Sequence, residues 1–289
     1  MEIGAESPDY EPAFYGAPEP FHAVSFHGFT FNASIRSAEW IQLFEAFFSK
    51  LGAIPTLARI NADTEQFLQY ESFQSKYVQN GRINSIKHHG LGLFVEVDGG
   101  AKVRLDFPIT ADVYFREPGK GNSTFIWRAR DGVSYVEIFN WLACELLSLS
   151  NCPYGYAFQR DARFGPGGYI AGGIVGIKGW KDPVEIDAIK RIGAWAREHW
   201  PENTEHRYRT RMLRDVYRAQ LVSRSHLETQ VFGSSLMSWI EAKSARGRLK
   251  EIAKDRFIWT IDGPDLFDVR EDLAPSGVLI SEERGWNLK

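Results

Sequence analysis

The side chains best able to do chemistry crowd into residues 206–218, HRYRTRMLRDVYR, where Arg207, Arg209, Arg211, Arg214 and Arg218 are interleaved with Tyr208 and Tyr217. Guanidinium forks bind phosphate and rings stack on bases, so the composition suits a groove for single-stranded nucleic acid. On a strand, the period of two would set Arg207, Arg209 and Arg211 on one side. The same charges also suit a solvated edge strand guarded against pairing, or a dock for an acidic segment of the same chain. Residues 1–20 are such a segment. They carry Glu2, Glu6, Asp9, Glu11 and Glu19 without one Lys or Arg, hold the rings Tyr10, Phe14 and Tyr15, and include Pro8, Pro12 and Pro18, which oppose regular structure. Glu282 and Glu283 add acid near the other terminus.

Other candidate chemistry dissolves on its spacing. His22, His27, His88, His89, His199, His206 and His226 form no HExxH pair. GKGNST at 119–124 has the wrong order for a phosphate loop, because its Lys does not directly precede the Ser or Thr and strand-forming FIW follows. The glycines of FGPGGY at 164–169 could converge backbone N–H groups on an anion, or simply make a hairpin connection. Asp98, Asp106 and Asp112 fall on neighbouring predicted strands, where a nuclease would gather magnesium ligands, but they read as ordinary solvent-facing positions. Two cysteines, Cys144 and Cys152, make neither a disulfide framework nor a zinc set, and Cys144 lies in the most apolar helix, where a thiol is expected buried and inert. The expectation is a protein without catalytic residues, metal or cofactor.

The elements that would hold these residues follow from hydrophobic periodicity. With 289 residues, 44% hydrophobic, 25% charged and 14% aromatic, and a net charge of −3, the chain is globular and no polycationic nucleic-acid coat. The spacing predicts a strand over 22–32, a helix from Ser37 to Gly52 on Trp40, Ile41, Phe44, Phe47 and Phe48, and a second helix from Asp63 to Asn80-Gly81. A meander of strands at 91–97, 102–107, 111–116 and 123–129 follows, with the GKGN turn at 119–122, and then an apolar helix over 133–149. Beyond it come strands at 154–159 and 169–177, a helix from Asp182 to Trp200, a strand at 213–223, a helix at 234–242, a strand at 256–261, a helix at 264–273 and a strand at 278–280. Connections too short for crossover helices favour an α+β fold with mainly antiparallel sheet. The expected organisation is an acidic arm, 1–20, followed by one α+β domain, 21–289, with possible halves 21–150 and 151–289. The start of the chain lacks the charged and apolar regions of a secretion signal, and no run approaches the ~18–20 apolar residues of a membrane span, so a cytoplasmic location is expected.

One further pattern lies in the last third: Leu213-Arg214-Asp215-Val216-Tyr217, Leu221-Val222-Ser223, Ser225-His226-Leu227, Gly233, Ser235-Leu236, Trp239-Ile240, Arg246-Gly247, Leu249, Trp259, Val269-Arg270, Leu273, Gly277 and Leu279-Ile280. Over 211–281 this resembles the immunity protein 52 family, cytoplasmic antitoxins that accompany restriction-endonuclease-like nuclease toxins in polymorphic toxin and type VI secretion systems. Over 20–200 only the order of elements is shared. The chain departs from the family at Arg218-Ala219-Gln220, where Pro or Asn is frequent. The resemblance implies binding of a cognate nuclease toxin without catalysis, with Trp239 and Trp259 as core rings, Gly247 and Gly277 as turn residues and Asp215 with His226 as a buried polar pair. A nuclease cleft attracts phosphate, so an inhibitor gains from acid for steering and rings for anchoring. Glu2, Glu6, Asp9, Tyr10, Glu11, Phe14, Tyr15, Glu19, Glu282 and Glu283 are the toxin-binding candidates on that ground. The alternatives are a nucleic-acid-binding or nuclease-like protein using Arg207–Arg218, and a self-assembling structural subunit.

Overall fold

The computed structural model describes residues 20–30, 37–61, 65–85, 89–95, 108–115, 120–129, 132–161, 166, 170 and 211–279. The predicted strands at 102–107 and 169–177 and the helix at 182–200 lie outside them, Ile170 apart.

Among the described residues the fold is α+β, a ten-stranded sheet with six helices. The strands are β1 (Pro20–Thr30), β2 (Leu57–Asn61), β3 (Glu65–Gln69), β4 (Gly90–Val95), β5 (Ile109–Phe115), β6 (Lys120–Arg128), β7 (Tyr154–Asp161), β8 (Ala219–Ser223), β11 (Arg248–Ala253) and β12 (Arg256–Thr260). They run in the order β11-β12-β8-β7-β1-β6-β5-β4-β2-β3, every neighbouring pair antiparallel. The short hairpin β9 (Gln230–Val231) and β10 (Ser234–Ser235) stands apart from the sheet.

β1 shows the logic of the core. β6 and β7 pair with its two edges and a packed core covers each of its faces, so residues 21–28 are buried. Val24 and Phe26 point to the side packed by α1 (Ser37–Lys50) and α3 (Tyr135–Leu149), and Ala23 points to the other. Leucine and phenylalanine rows on the two helices cover the first side: Phe44, Phe47 and Phe48 from α1, and Phe139, Leu142 and Leu146 from α3. α3 opens on Ser134, whose side chain accepts from Glu137 N at 3.4 Å. The second side, under β7, β8 and β12, holds Tyr154, Tyr156, Phe158, Val222, Phe257 and Trp259. It is covered by the segment 213–217, α4 (Arg224–Leu227), α5 (Leu236–Glu241) and α6 (Leu266–Leu273).

Four expectations are corrected. The helix expected from Asp63 begins only at Tyr70, because residues 65–69 pair along their whole length with β2, and Tyr70 N continues that ladder to Thr56 O at 2.8 Å. The open backbone groups of a sheet edge outweigh a marginal helical period there. The helical part is α2 (Tyr70–Phe73), which runs into a π turn at Gln74–Val78; Phe73 and Tyr77 are buried as expected, while Phe67 is 40% exposed. GKGN is no turn: Lys120 to Asn122 are in β6. The strand at 213–223 is regular only over β8. Cys144 is exposed, since α3 turns Ile138, Phe139, Leu142, Ala143 and Leu146 inward and leaves positions 144 and 145 to solvent. The edge strand β11 was not anticipated; charge and a bulge between Glu251 and Ala253 guard it.

Candidate binding surface

Most residues with a sequence-based claim to binding lie outside the described structure: Glu2, Glu6, Asp9, Tyr10, Glu11, Phe14, Tyr15, Glu19, Glu282, Glu283, Arg207 and Arg209. Three arginines can be placed. Arg211 is exposed, Arg214 is 3% exposed with its backbone N–H donating to Tyr154 Oη at 2.7 Å, and Arg218 is exposed. They form no single row, because residues 211–218 are irregular rather than a strand.

Arg218 borders a cleft of about 380 Å³ lined by Ser134, Tyr135, Glu137, Thr260 and Asp262. Its guanidinium lies 5.8 Å from the centroid of Tyr135 and against Gly263. Burial pushes the Tyr135 phenol above its ordinary value and Arg218 opposes the shift. One cation and two carboxylates share this lining, so its charge is mixed and no anion preference follows.

The Asp112 carboxylate faces Arg59 at 3.7 Å across two adjacent pairings of the sheet, and Arg59 is 2% exposed and also donates to Tyr114 Oη. Asp112 therefore balances a buried cation and is no solvent-facing position. Asp98 and Asp106 lie outside the described residues. Among the described residues no three His, Cys, Asp or Glu side chains gather as a metal set, and no helix is long and apolar enough to cross a membrane.

Several residues of the pattern over 211–281 are packed into the interior. Asp215 and His226 do not pair with each other. Asp215 Oδ1 accepts from Arg270 Nε and from Val216 N, each at 2.8 Å; burial raises its carboxyl above the ordinary value while Arg270 pulls the other way. His226, fully buried, accepts at Nδ1 from the Ser223 hydroxyl at 2.6 Å and the Ser223 N–H at 3.3 Å, and stacks on Tyr154. A Ser-His hydrogen bond has the geometry of an activated nucleophile, but this one closes the first turn of α4 in the interior, out of a substrate's reach. Trp259 is fully buried and donates to Arg246 O at 2.8 Å, while Arg246 lies 3.9 Å over the Trp239 ring. Gly247, at φ +95°, leaves no room for a Cβ, which would fall 2.2 Å from Thr260 O.

Sequence reasoning missed one surface feature. The two-residue turn between β9 and β10 is Phe232-Gly233, with φ of +51° and +80°, and Phe232 is 56% exposed. Its signal in the sequence is an aromatic residue directly before Gly, flanked by Val231 and Ser234.

No family model matches the sequence, and no curated protein matches it. Among solved structures the fold is similar to that of the Pseudomonas aeruginosa T6SS protein PA0821, with a TM-score of 0.54 at 11% identity over 93% of this chain and 78% of that one. A structure of the toxic C-terminal tip of CdiA from Pseudomonas aeruginosa in complex with immune protein also matches, with a TM-score of 0.27 at 13% identity over 49% of this chain and 86% of that one; a score so low does not bear on the fold. The first likeness defines the class of architecture, a broad antiparallel α+β sheet with helices packed on it.

Proposed function

We propose that the chain is a non-enzymatic, cytoplasmic immunity protein that neutralises a nuclease toxin by stoichiometric binding. The observation that carries this reading is that the residues resembling immunity protein 52 pack as one unit. Leu213, Val216, Tyr217, Val222, Leu227, Leu236, Trp239, Trp259, Val269 and Leu273 share the second core, which supports reading the pattern as one folded scaffold. The similarity of fold to a T6SS protein over 93% of the chain supports the same setting. The polar residues of that unit, Asp215, His226 and Arg270, are held in internal pairs, which fits a binding role.

The acidic arm is the proposed steering element, since the negative charges of residues 1–20 complement the positive potential of a phosphate-binding cleft. Affinity capture from the native host tests the reading. One protein should elute at equal stoichiometry, its nuclease activity should vanish when the chain is added back, and deleting residues 1–20 should weaken the complex and flatten its salt dependence. Nucleic acid eluting without a protein partner would sink the proposal and favour the arginine segment.

A further inference from the structure

We infer that Phe232 is a preformed aromatic anchor that inserts into an apolar, phenyl-sized pocket on a folded protein partner. The inference rests on the immunity reading for the partner's identity. It starts from backbone geometry. A two-residue hairpin turn with positive φ at both central positions favours Asn-Gly or Gly-Gly, because a Cβ crowds the carbonyl in the left-handed region. Phe232 occupies that region at φ +51°.

Among the described residues the other non-glycine residue with positive φ shows what an internal reason looks like. Asp255, at φ +60° in the turn between β11 and β12, holds Arg224 Nε at 2.6 Å through Oδ1, and an Asp tolerates this conformation. Among the described residues Phe232 makes no side-chain hydrogen bond or ring contact that would repay this conformation, and the residue is 56% exposed. Strain kept at a solvent-facing aromatic residue points outward to a function.

The mount is rigid. Val231 and Leu236 on either side of the turn are buried, Ser234 Oγ donates to Val231 O at 3.3 Å, Leu236 N donates to Thr229 O at 2.8 Å, and Thr229 Oγ1 donates to Arg211 O at 3.2 Å. A ring presented on a fixed hairpin loses little entropy on binding, which is how aromatic anchors dominate interfaces.

Charge selects the class of partner. Among the described residues the exposed charged side chains at the hairpin base, Arg211 and Glu228, are of opposite sign, whereas a base-stacking ring needs cationic flanks and a membrane anchor needs several apolar side chains beside cations. A protein surface with a mixed polar rim fits. The Arg218 cleft, with its charged lining, is no receptor for the ring of a second copy.

The test uses the full chain, its Phe232→Asn and Phe232→Tyr variants, and the nuclease toxin recovered by the capture experiment. Asn suits the turn, so Phe232→Asn should unfold at a urea concentration equal to or above that of the parent, yet bind the toxin at least about 30-fold more weakly. Phe232→Tyr should retain most of the affinity. If Phe232→Asn binds as tightly as the parent, the anchor assignment is wrong while the immunity reading stands. A lower urea midpoint for Phe232→Asn would show that the ring serves the fold and would also overturn it, as would self-association of the parent that is lost in Phe232→Asn. If the parent chain binds no protein, the immunity reading falls and the anchor with it.

Discussion

Gly155 of β7 stands directly opposite Phe26 of β1, and a Cβ added to Gly155 would fall 2.4 Å from Phe26 Cδ1 and 3.0 Å from Ser25 O. The missing side chain is what lets the Phe26 ring lie flat on Phe139, with centroids 5.5 Å apart and planes 8° from parallel. The stack ties the middle of the sheet to α3. Gly155→Ala must displace a fully buried ring, and overpacking of this kind costs typically about 1–3 kcal/mol. A urea midpoint unchanged from the parent would contradict the packing described.

The two thiols should separate cleanly by reactivity. Cys152 is fully buried, donates to Tyr154 O at 3.3 Å, and burial pushes its thiol up to about 12. Cys144 stands on the solvent face of α3. Since the thiolate is the reacting species, a disulfide reagent at neutral pH should modify Cys144 alone in the native protein and both after denaturation. Native Cys144→Ser should then give no rapid signal.

What the sequence conveyed was period, and what it hid was context. Trp40, Ile41, Phe44, Phe47 and Phe48 state their helix at any burial, and β1 alternates Val24 and Phe26 against Ser25 and His27 as read. The segment 65–69 was different, because Phe67 and Leu68 fit a helical stripe or a strand equally, and only the edge of β2 decides between them. The site was less legible still. A cap such as Ser223-His226 and an ion pair such as Asp215-Arg270 join residues whose types suit many partners, so their identities fix no distance until the chain is folded. Phe232 is conspicuous only once its φ is known.

Gln220 is a buried polar residue with nothing to gain from burial. It sits on β8 between Tyr156 and Trp259, its cross-strand partners, is 0% exposed, and neither its Oε1 nor its Nε2 makes a hydrogen bond. An unsatisfied buried polar group costs about 1–3 kcal/mol, while a methionine of similar length needs no partner. Gln220→Met should therefore raise stability by about 1 kcal/mol or more, read from the urea midpoint. Loss of stability would mean that the amide is satisfied in solution.

His22 should make the fold sensitive to mild acid. Its ring is 6% exposed, edge-on to Trp127 with centroids 5.4 Å apart and 4.7 Å from Tyr135, and its Nε2 donates to Gln159 Oε1 at 3.3 Å. Burial lowers its pKa below 6.5, with the Gln159 hydrogen bond opposing. A base with a lowered folded pKa takes up its proton more readily in the unfolded chain. Between that lowered value and 6.5 the unfolded state binds more protons, so stability is fully present above 6.5 and declines as pH falls through the window. His22→Gln removes the titration while leaving a side chain able to reach Gln159. The parent should lose more stability than His22→Gln between about pH 7.5 and about pH 5.5, measured by urea unfolding at each pH. Equal losses in the two proteins would place the acid sensitivity elsewhere and leave His22 as a ring in the core whose protonation the fold does not resist.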